Sequence, residues 1–339
     1  MMSRSWRLRC VLASGALLGF VGLQAQGRVL LRIQNASRLF GATPAPVGTA
    51  VLAYAQTEES SGEFAEGTAV ILQFGAEPAA KLLEVPPSLE DPNSTAWSPD
   101  GNKVYFITDR GIYSLALNSG KIVREFDGVF AGLALASDRS RLATWNLKGP
   151  NGGHHLYTLT VFSLGNKGEL RHWAVPVKYS GDQYGHEIAF FNGDREILAR
   201  TYDTERTTPL KRFELSTGAV ETVSPDVWSF VTAQNDAYLI EEFKGVFSLQ
   251  LLRRGASTPQ FVASDIPFNT FTSSVNPDVL AVENLRTGAV ARYHIRLGTF
   301  ERIQSACTGV VPLSDGRVIY IQRNVVFDSP AGCGTQDSQ

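Results

Sequence analysis

One turn, repeated along the chain at intervals near forty residues, constrains this sequence more than any other feature. It is clearest in AWSPDGNKVYF, residues 96–106, where Pro99-Asp100-Gly101 separates two short apolar runs. Proline presets φ, aspartate bonds its own backbone and glycine accepts positive φ, so the tripeptide is a turn with a mechanism. Related turns fall at Asp138, Asp194, Asp236, Asp278 and Asp315, at intervals of 38, 56, 42, 42 and 37 residues. A period of that length, with two further apolar runs in each unit, matches four strands per propeller blade.

A second marker keeps the same phase. An apolar residue followed by a glycine-containing turn returns at Leu117-Asn118-Ser119-Gly120, Leu215-Ser216-Thr217-Gly218 and Leu252-Arg253-Arg254-Gly255. Upstream, Pro46-Val47-Gly48 precedes TAVLAYAQ, which aligns with the strand after each Asp turn. Counting Gly48 with the six aspartates gives seven four-stranded blades, with six or eight left open by the degenerate units. RVLLRI, residues 28–33, is a strand without a blade of its own, and the last unit is short of strands. The economical solution is an all-β ring in which this N-terminal strand completes the final blade and removes two exposed sheet edges.

AWSPDGNKVYFITDRGIYSLALNSGKIVREF, residues 96–126, resembles the TolB-type repeat, with its W-S-P-D-G turn, paired strands and later S/T-G turn. It is also similar to YVTN and WD-repeat propellers in general. Later units depart from it, with Arg139, Arg195, Ala237 and Val279 standing where the first has Gly101. The resemblance implies a single β-propeller and no particular activity, because such folds host unrelated functions.

The first 25 residues are read apart from the fold. Arg4, Arg7 and Arg9 precede a 13-residue apolar run, Val11 to Leu23, with a plausible cleavage site after Ala25. That run is shorter than the roughly 20 residues of a membrane-spanning helix, so it reads as a signal peptide. The expected organisation is a leader at 1–25, a propeller at 26–334 and a tail at 335–339, exported to the periplasm or the cell exterior. No membrane span is expected after leader removal. Losing the leader removes three arginines and no acids, which takes the formal charge from −2 to −5. Acidic and basic residues are mixed throughout, so no nucleic-acid partner is expected.

In an exported chain, the two remaining cysteines, Cys307 and Cys333, read as a disulfide. Cys307 opens the last inner strand. The bond is expected only if RVIYIQRNVVF, residues 317–327, runs on as one long strand carrying the tail towards Cys307. A separate third strand at 325–327 would drop the chain at the opposite face.

If each unit runs from inner to outer strand, the Asp turns share one face, the bottom. Loops between second and third strands, and between blades, share the top. All the long insertions then fall on top, at residues 57–67, 146–155, 178–187 and 201–210. Loops that a fold does not require are where function concentrates. His154, His155, Asp182, Tyr184, His186, Asp203, Glu205 and Arg206 are therefore the candidate binding residues. His172 and His294 read as strand residues.

No catalytic residue, cofactor or metal site is assigned. His186-Glu187 begins like HExxH, but Phe190 stands at the fifth position. GPNGG, residues 149–153, lacks the lysine and helix of a phosphate loop. No G-x-S-x-G elbow occurs. The turn aspartates read as structural. The expected function is a non-catalytic module presenting its top face to a protein, peptide or glycan. The alternative is a propeller enzyme, a lactonase or glycan-acting hydrolase, with its site in the central channel.

Overall fold

The Asp turns and glycine turns close short hairpins, and the hairpins assemble as their spacing demands. The computed structural model describes residues 27–56, 66–89, 95–147, 155–177, 187–201, 207–303 and 307–334. The expected leader and tail lie outside them. Seven four-stranded antiparallel sheets form a ring around a channel. From the channel outward, blade 1 takes Arg38–Pro44, Ala50–Gln56, Glu66–Phe74 and Pro78–Leu82. Blade 2 takes Thr95–Trp97, Lys103–Thr108, Gly111–Ala116 and Lys121–Asp127. Blade 3 takes Phe130–Leu135, Arg141–Leu147, His155–Ser163 and Glu169–Val177. Blade 4 takes Ile188–Phe191, Glu196–Arg200, Leu210–Glu214 and Val220–Ser224. Blade 5 takes Ser229–Ala233, Asp236–Phe243, Val246–Leu252 and Gln260–Ser264. Blade 6 takes Thr270–Asn276, Val279–Asn284, Ala289–His294 and Thr299–Ile303.

Blade 7 is built from both ends of the chain. Gly309–Pro312, Val318–Gln322 and Val325–Phe327 supply its inner three strands, and Val29–Arg32 supplies the outer one. The register pairs Val29 with Phe327 and Arg32 with Val325. Ring closure by the N-terminal strand is as the orphan RVLLRI run implied.

The apolar cores lie between blades. Val51, Ala53 and Val70 of blade 1 pack against Val311, Ile319, Ile321 and Val326 of blade 7, with Ile33 from the N-terminal segment. Leu198 and Leu210 of blade 4 meet Phe230, Ala237 and Leu239 of blade 5 in the same manner. Each blade is thus covered on both faces. A strand covered on both faces reads as a continuous apolar run rather than an alternating one. AVLAYAQ, buried at all seven positions, is the plainest case.

Cys307 and Cys333 are bonded, with Cα atoms 5.2 Å apart. The condition attached to this bond is corrected by the fold, because Val318–Gln322 and Val325–Phe327 are separate antiparallel strands and the disulfide forms nonetheless. The third strand is only three residues long, so the chain does not travel to the bottom face. Asp328 stops it there, accepting from the Arg28 amide at 2.9 Å and donating its own amide to the Arg28 carbonyl at 3.1 Å. The 3-10 turn Pro330–Gly334 then folds back, and Cys333 is buried among Tyr320, Val325 and Phe327.

Two outcomes follow from this closure. Deleting residues 28–33 exposes the edge of Val325–Phe327, so the variant is expected to melt earlier and aggregate. Size-exclusion chromatography and a thermal scan check it, and an unchanged monomer would refute closure. Cys333→Ser is expected to lower stability by about 3 kcal/mol for a loop of this length, measured by urea denaturation.

Candidate functional site

The inner strands of blades 1 to 6 line a channel of about 600 Å³. Its wall is built mainly of small or apolar residues, among them Ala96, Ala134, Ala189, Val231 and Thr272. The bottom mouth is ringed by turn residues, including Ser137, Asp194, Gln234 and Asn276. These are engaged with one another. The Ser137 amide donates to Asp194 Oδ2 at 2.8 Å across the boundary between blades 3 and 4. Gln234 Nε2 donates to Asp278 Oδ1 at 2.6 Å across the boundary between blades 5 and 6.

Asp100 accepts from Ser98 Oγ at 2.6 Å and pairs with Arg139 of blade 3 at 2.7 Å. The Ser98 hydroxyl above all, then the Asn102 amide and Arg139, hold its carboxyl at about 2 against a smaller opposing effect of burial. The turn aspartates are therefore bracing groups, in keeping with the sequence reading.

Of the sequence-derived candidates, His155 is placed as the first residue of the third strand in blade 3, opposite Val177 at the top end. His154, Asp182, Tyr184, His186, Asp203, Glu205 and Arg206 lie outside the described residues. His172 is on an exposed outer strand beside Glu169, and His294 ends the third strand of blade 6, 3.0 Å from Glu301. Both are strand residues, as read. Among the described residues, no three His, Cys, Asp or Glu side chains meet closely enough to hold a metal ion.

The structure gives roles at the top mouth to residues that sequence reasoning left unassigned. Glu187 immediately precedes the inner strand of blade 4, and Arg200 ends the second strand opposite it. Arg200 donates to Glu187 Oε2 at 3.0 Å and to the Trp228 carbonyl. Ser229 Oγ donates to Glu187 Oε1 at 2.6 Å and accepts from the Phe271 amide at 3.2 Å. One buried carboxylate thus ties blades 4, 5 and 6 together. Burial pushes its carboxyl up, with Arg200 and Ser229 opposing.

The place that Arg200 takes in blade 4 is acidic in the next two second strands. Glu241 of blade 5 accepts from Ser224 Oγ at 2.6 Å, and burial pushes it up. Glu283 of blade 6 is pushed up by burial alone. A charged residue closing an otherwise apolar second strand (EILAR, DAYLIEEF, VLAVEN) was the available signal.

Beside this arc the top face carries exposed apolar side chains. Trp228 sits at the crossing from blade 4 to blade 5, 37% exposed. Phe243, 72% exposed, stands at the tip of the second-to-third hairpin of blade 5, with the Lys244 ammonium 5.1 Å from its ring centre. Val246 of the same hairpin and Leu285 of the equivalent hairpin in blade 6 are exposed as well.

A carboxyl whose folded pKa is raised binds protons more tightly in the folded state than in the unfolded chain. Its contribution therefore falls as pH rises from its ordinary 4.5 through the raised value. Glu283→Gln removes that cost, and is expected to raise the melting temperature at neutral and higher pH. Below pH about 4, where both forms are neutral, the variant and parent should melt alike. Paired thermal scans across pH check it.

No family model matches this chain, and no curated protein matches its sequence. Solved structures match by fold. An oligogalacturonate lyase in complex with manganese superposes with a TM-score of 0.59 at 9% identity, covering 91% of this chain and 99% of that one. The β-propeller domain of the Trilobed protease from Pyrococcus furiosus gives 0.56 at 14% identity, covering 87% and 96%. TolB from Acinetobacter baumannii gives 0.48 at 13% identity, with 78% of this chain spanning 62% of that one. At these identities the likeness is one of architecture, and the chain is a seven-bladed β-propeller similar in fold to the lyase and to the protease domain.

Proposed function

We propose that this chain is an exported, non-catalytic binding module that captures a protein, peptide or glycan on its top face. The observation that carries the reading is the exposed pair Trp228 and Phe243, standing on the top face beside a channel whose wall is small and apolar. Truncating the few aromatic anchors of an interface commonly costs 2 kcal/mol or more. An exposed tryptophan and phenylalanine on one face have no folding role that requires their exposure.

The alternative, a lactonase or glycan-acting hydrolase, needs acid and base groups converging on a reacting atom. Glu187 and Asp194 are the carboxylates of the described channel lining, and each is committed to intramolecular donors. A lyase among the fold neighbours keeps the alternative in view, as a likeness of architecture. The described strand ends that flank the insertions 57–67, 146–155, 178–187 and 201–210 stand at the proposed face.

Immobilised mature protein is expected to retain a partner from native extract. Trp228→Ala with Phe243→Ala should reduce the retained amount by an order of magnitude or more, with only the modest fall in melting temperature that loss of the edge-on Trp228–Phe247 ring contact brings. Capture that survives both this double variant and replacement of all four top loops would refute the face assignment.

A further inference from the structure

Among the described residues, every blade ends in an outer strand with one edge unpaired, and an unpaired edge is a template for another strand. Proteins blunt such edges with charge, proline or bulges. Six of the seven outer strands here carry at least one charge: Lys81, Glu125, Arg171, Glu221, Glu301 and Arg32 mark blades 1, 2, 3, 4, 6 and 7. The outer strand of blade 5, Gln260–Ser264 with the sequence QFVAS, carries neither charge nor proline.

It is also bare. Phe261 is 64% exposed and Val262 38%, and among the described residues the strand hydrogen-bonds only to Val246–Leu252. Its bulge at Val262 does not set it apart, since the outer strands of blades 2, 3 and 4 are bulged too. Among the described residues, all three exposed Trp and Phe side chains, Trp228, Phe243 and Phe261, belong to blade 5 or its entry.

We propose that the Gln260–Ser264 edge pairs antiparallel with the same edge of a second copy of this chain, about a two-fold axis. A two-fold interface must be self-complementary. Like charges directly opposite one another destabilise a strand pair, and this is the outer strand that carries no charge to set against its copy in any register. The pairing satisfies the open amides and carbonyls of both strands and covers Phe261 and Val262 of each. The surface is lateral, so it is independent of the top-face reading and leaves both top faces accessible in the dimer. Five residues a side is below the area of tight complexes, and the dimer is expected at micromolar dissociation constant.

Sedimentation equilibrium of the mature protein from about 1 to 200 µM tests this. The parent should pass from monomer to dimer across that range. Phe261→Lys and Val262→Lys, each placing a charge on the edge, should stay monomeric throughout with unchanged melting temperature. Leu297→Lys, at an equally exposed apolar residue on a bottom turn of blade 6, should dimerise like the parent. A parent that is monomeric at every concentration overturns the proposal, as does a dimer that survives both edge variants. If the parent is monomeric and Phe261→Lys instead loses a partner retained from extract, self-pairing is refuted and the edge belongs to another chain's strand.

Discussion

Val29–Arg32 lies in the same sheet as Val325–Phe327, so the two ends of the chain are held by backbone hydrogen bonds across nearly its whole length. The rest of the ring depends on this seam. Each core lies between two blades, so a ring that opened anywhere would expose two apolar faces at once. The seam is reinforced from several sides. The Leu39 amide donates to the Arg323 carbonyl at 2.9 Å, and Asn324 Nδ2 donates to the Ile33 carbonyl at 3.0 Å. Ser314 Oγ reaches the Gly48 carbonyl at 2.6 Å, and the Cys307–Cys333 bond pins the chain just beyond the last strand. Closing so long a loop is entropically costly, and covalent and polar ties concentrated at one seam offset that cost.

Between neighbouring blades, at the seam and away from it, a lighter tie recurs. A tryptophan or arginine reaches a backbone carbonyl at a turn of the neighbouring blade. Trp173 reaches the Gly218 carbonyl at 3.0 Å, and Arg212 the Ala256 carbonyl at 2.5 Å. Arg292 reaches the Gly316 carbonyl and Arg317 the Phe74 carbonyl, both at 2.6 Å. Basic residues that look scattered in the sequence are therefore spent on turn carbonyls of the adjacent blade. At the top of blades 4 to 6 the Glu187–Arg200–Ser229 cluster does the equivalent work with buried charge. Removing one partner of such a pair leaves the other buried and uncompensated, so the mouth is held rigid where the aromatic rim is displayed.

The fold was legible because the turns recur, even where their residues change. Gly101 has φ of +69°, and a Cβ there would meet the Val47 carbonyl oxygen of blade 1 at 2.3 Å, so glycine is required. Arg139, at the matching place in blade 3, holds φ of 60° without being glycine. Gly316 of blade 7 holds it as well, whereas Arg195, Ala237 and Val279, at the matching places of blades 4, 5 and 6, do not, so the resemblance to a known repeat fades after residue 126 because residue and local conformation change together. The candidate site was less legible. Histidines and acids in long loops were drawn together by topology alone. Glu187, Trp228, Phe243 and Glu283 were left unassigned because each looks ordinary in its own strand or hairpin. Glu187 gains its role only when Ser229, from another blade, comes within 2.6 Å of it.

Period and turn chemistry are local properties, written in stretches of ten residues, and by themselves they indicated a ring of seven blades, with six or eight left open, the two faces and the use of the N-terminal strand. The length of the last strand was a different kind of question. Whether Cys333 returned to Cys307 depended on Asp328 meeting the Arg28 backbone, a contact between residues 300 positions apart. Which buried carboxylates are satisfied, and which outer strand stands bare, likewise depends on neighbours supplied by other blades. Local turn geometry is specified residue by residue, whereas burial, charge pairing and edge exposure are properties of the assembled ring.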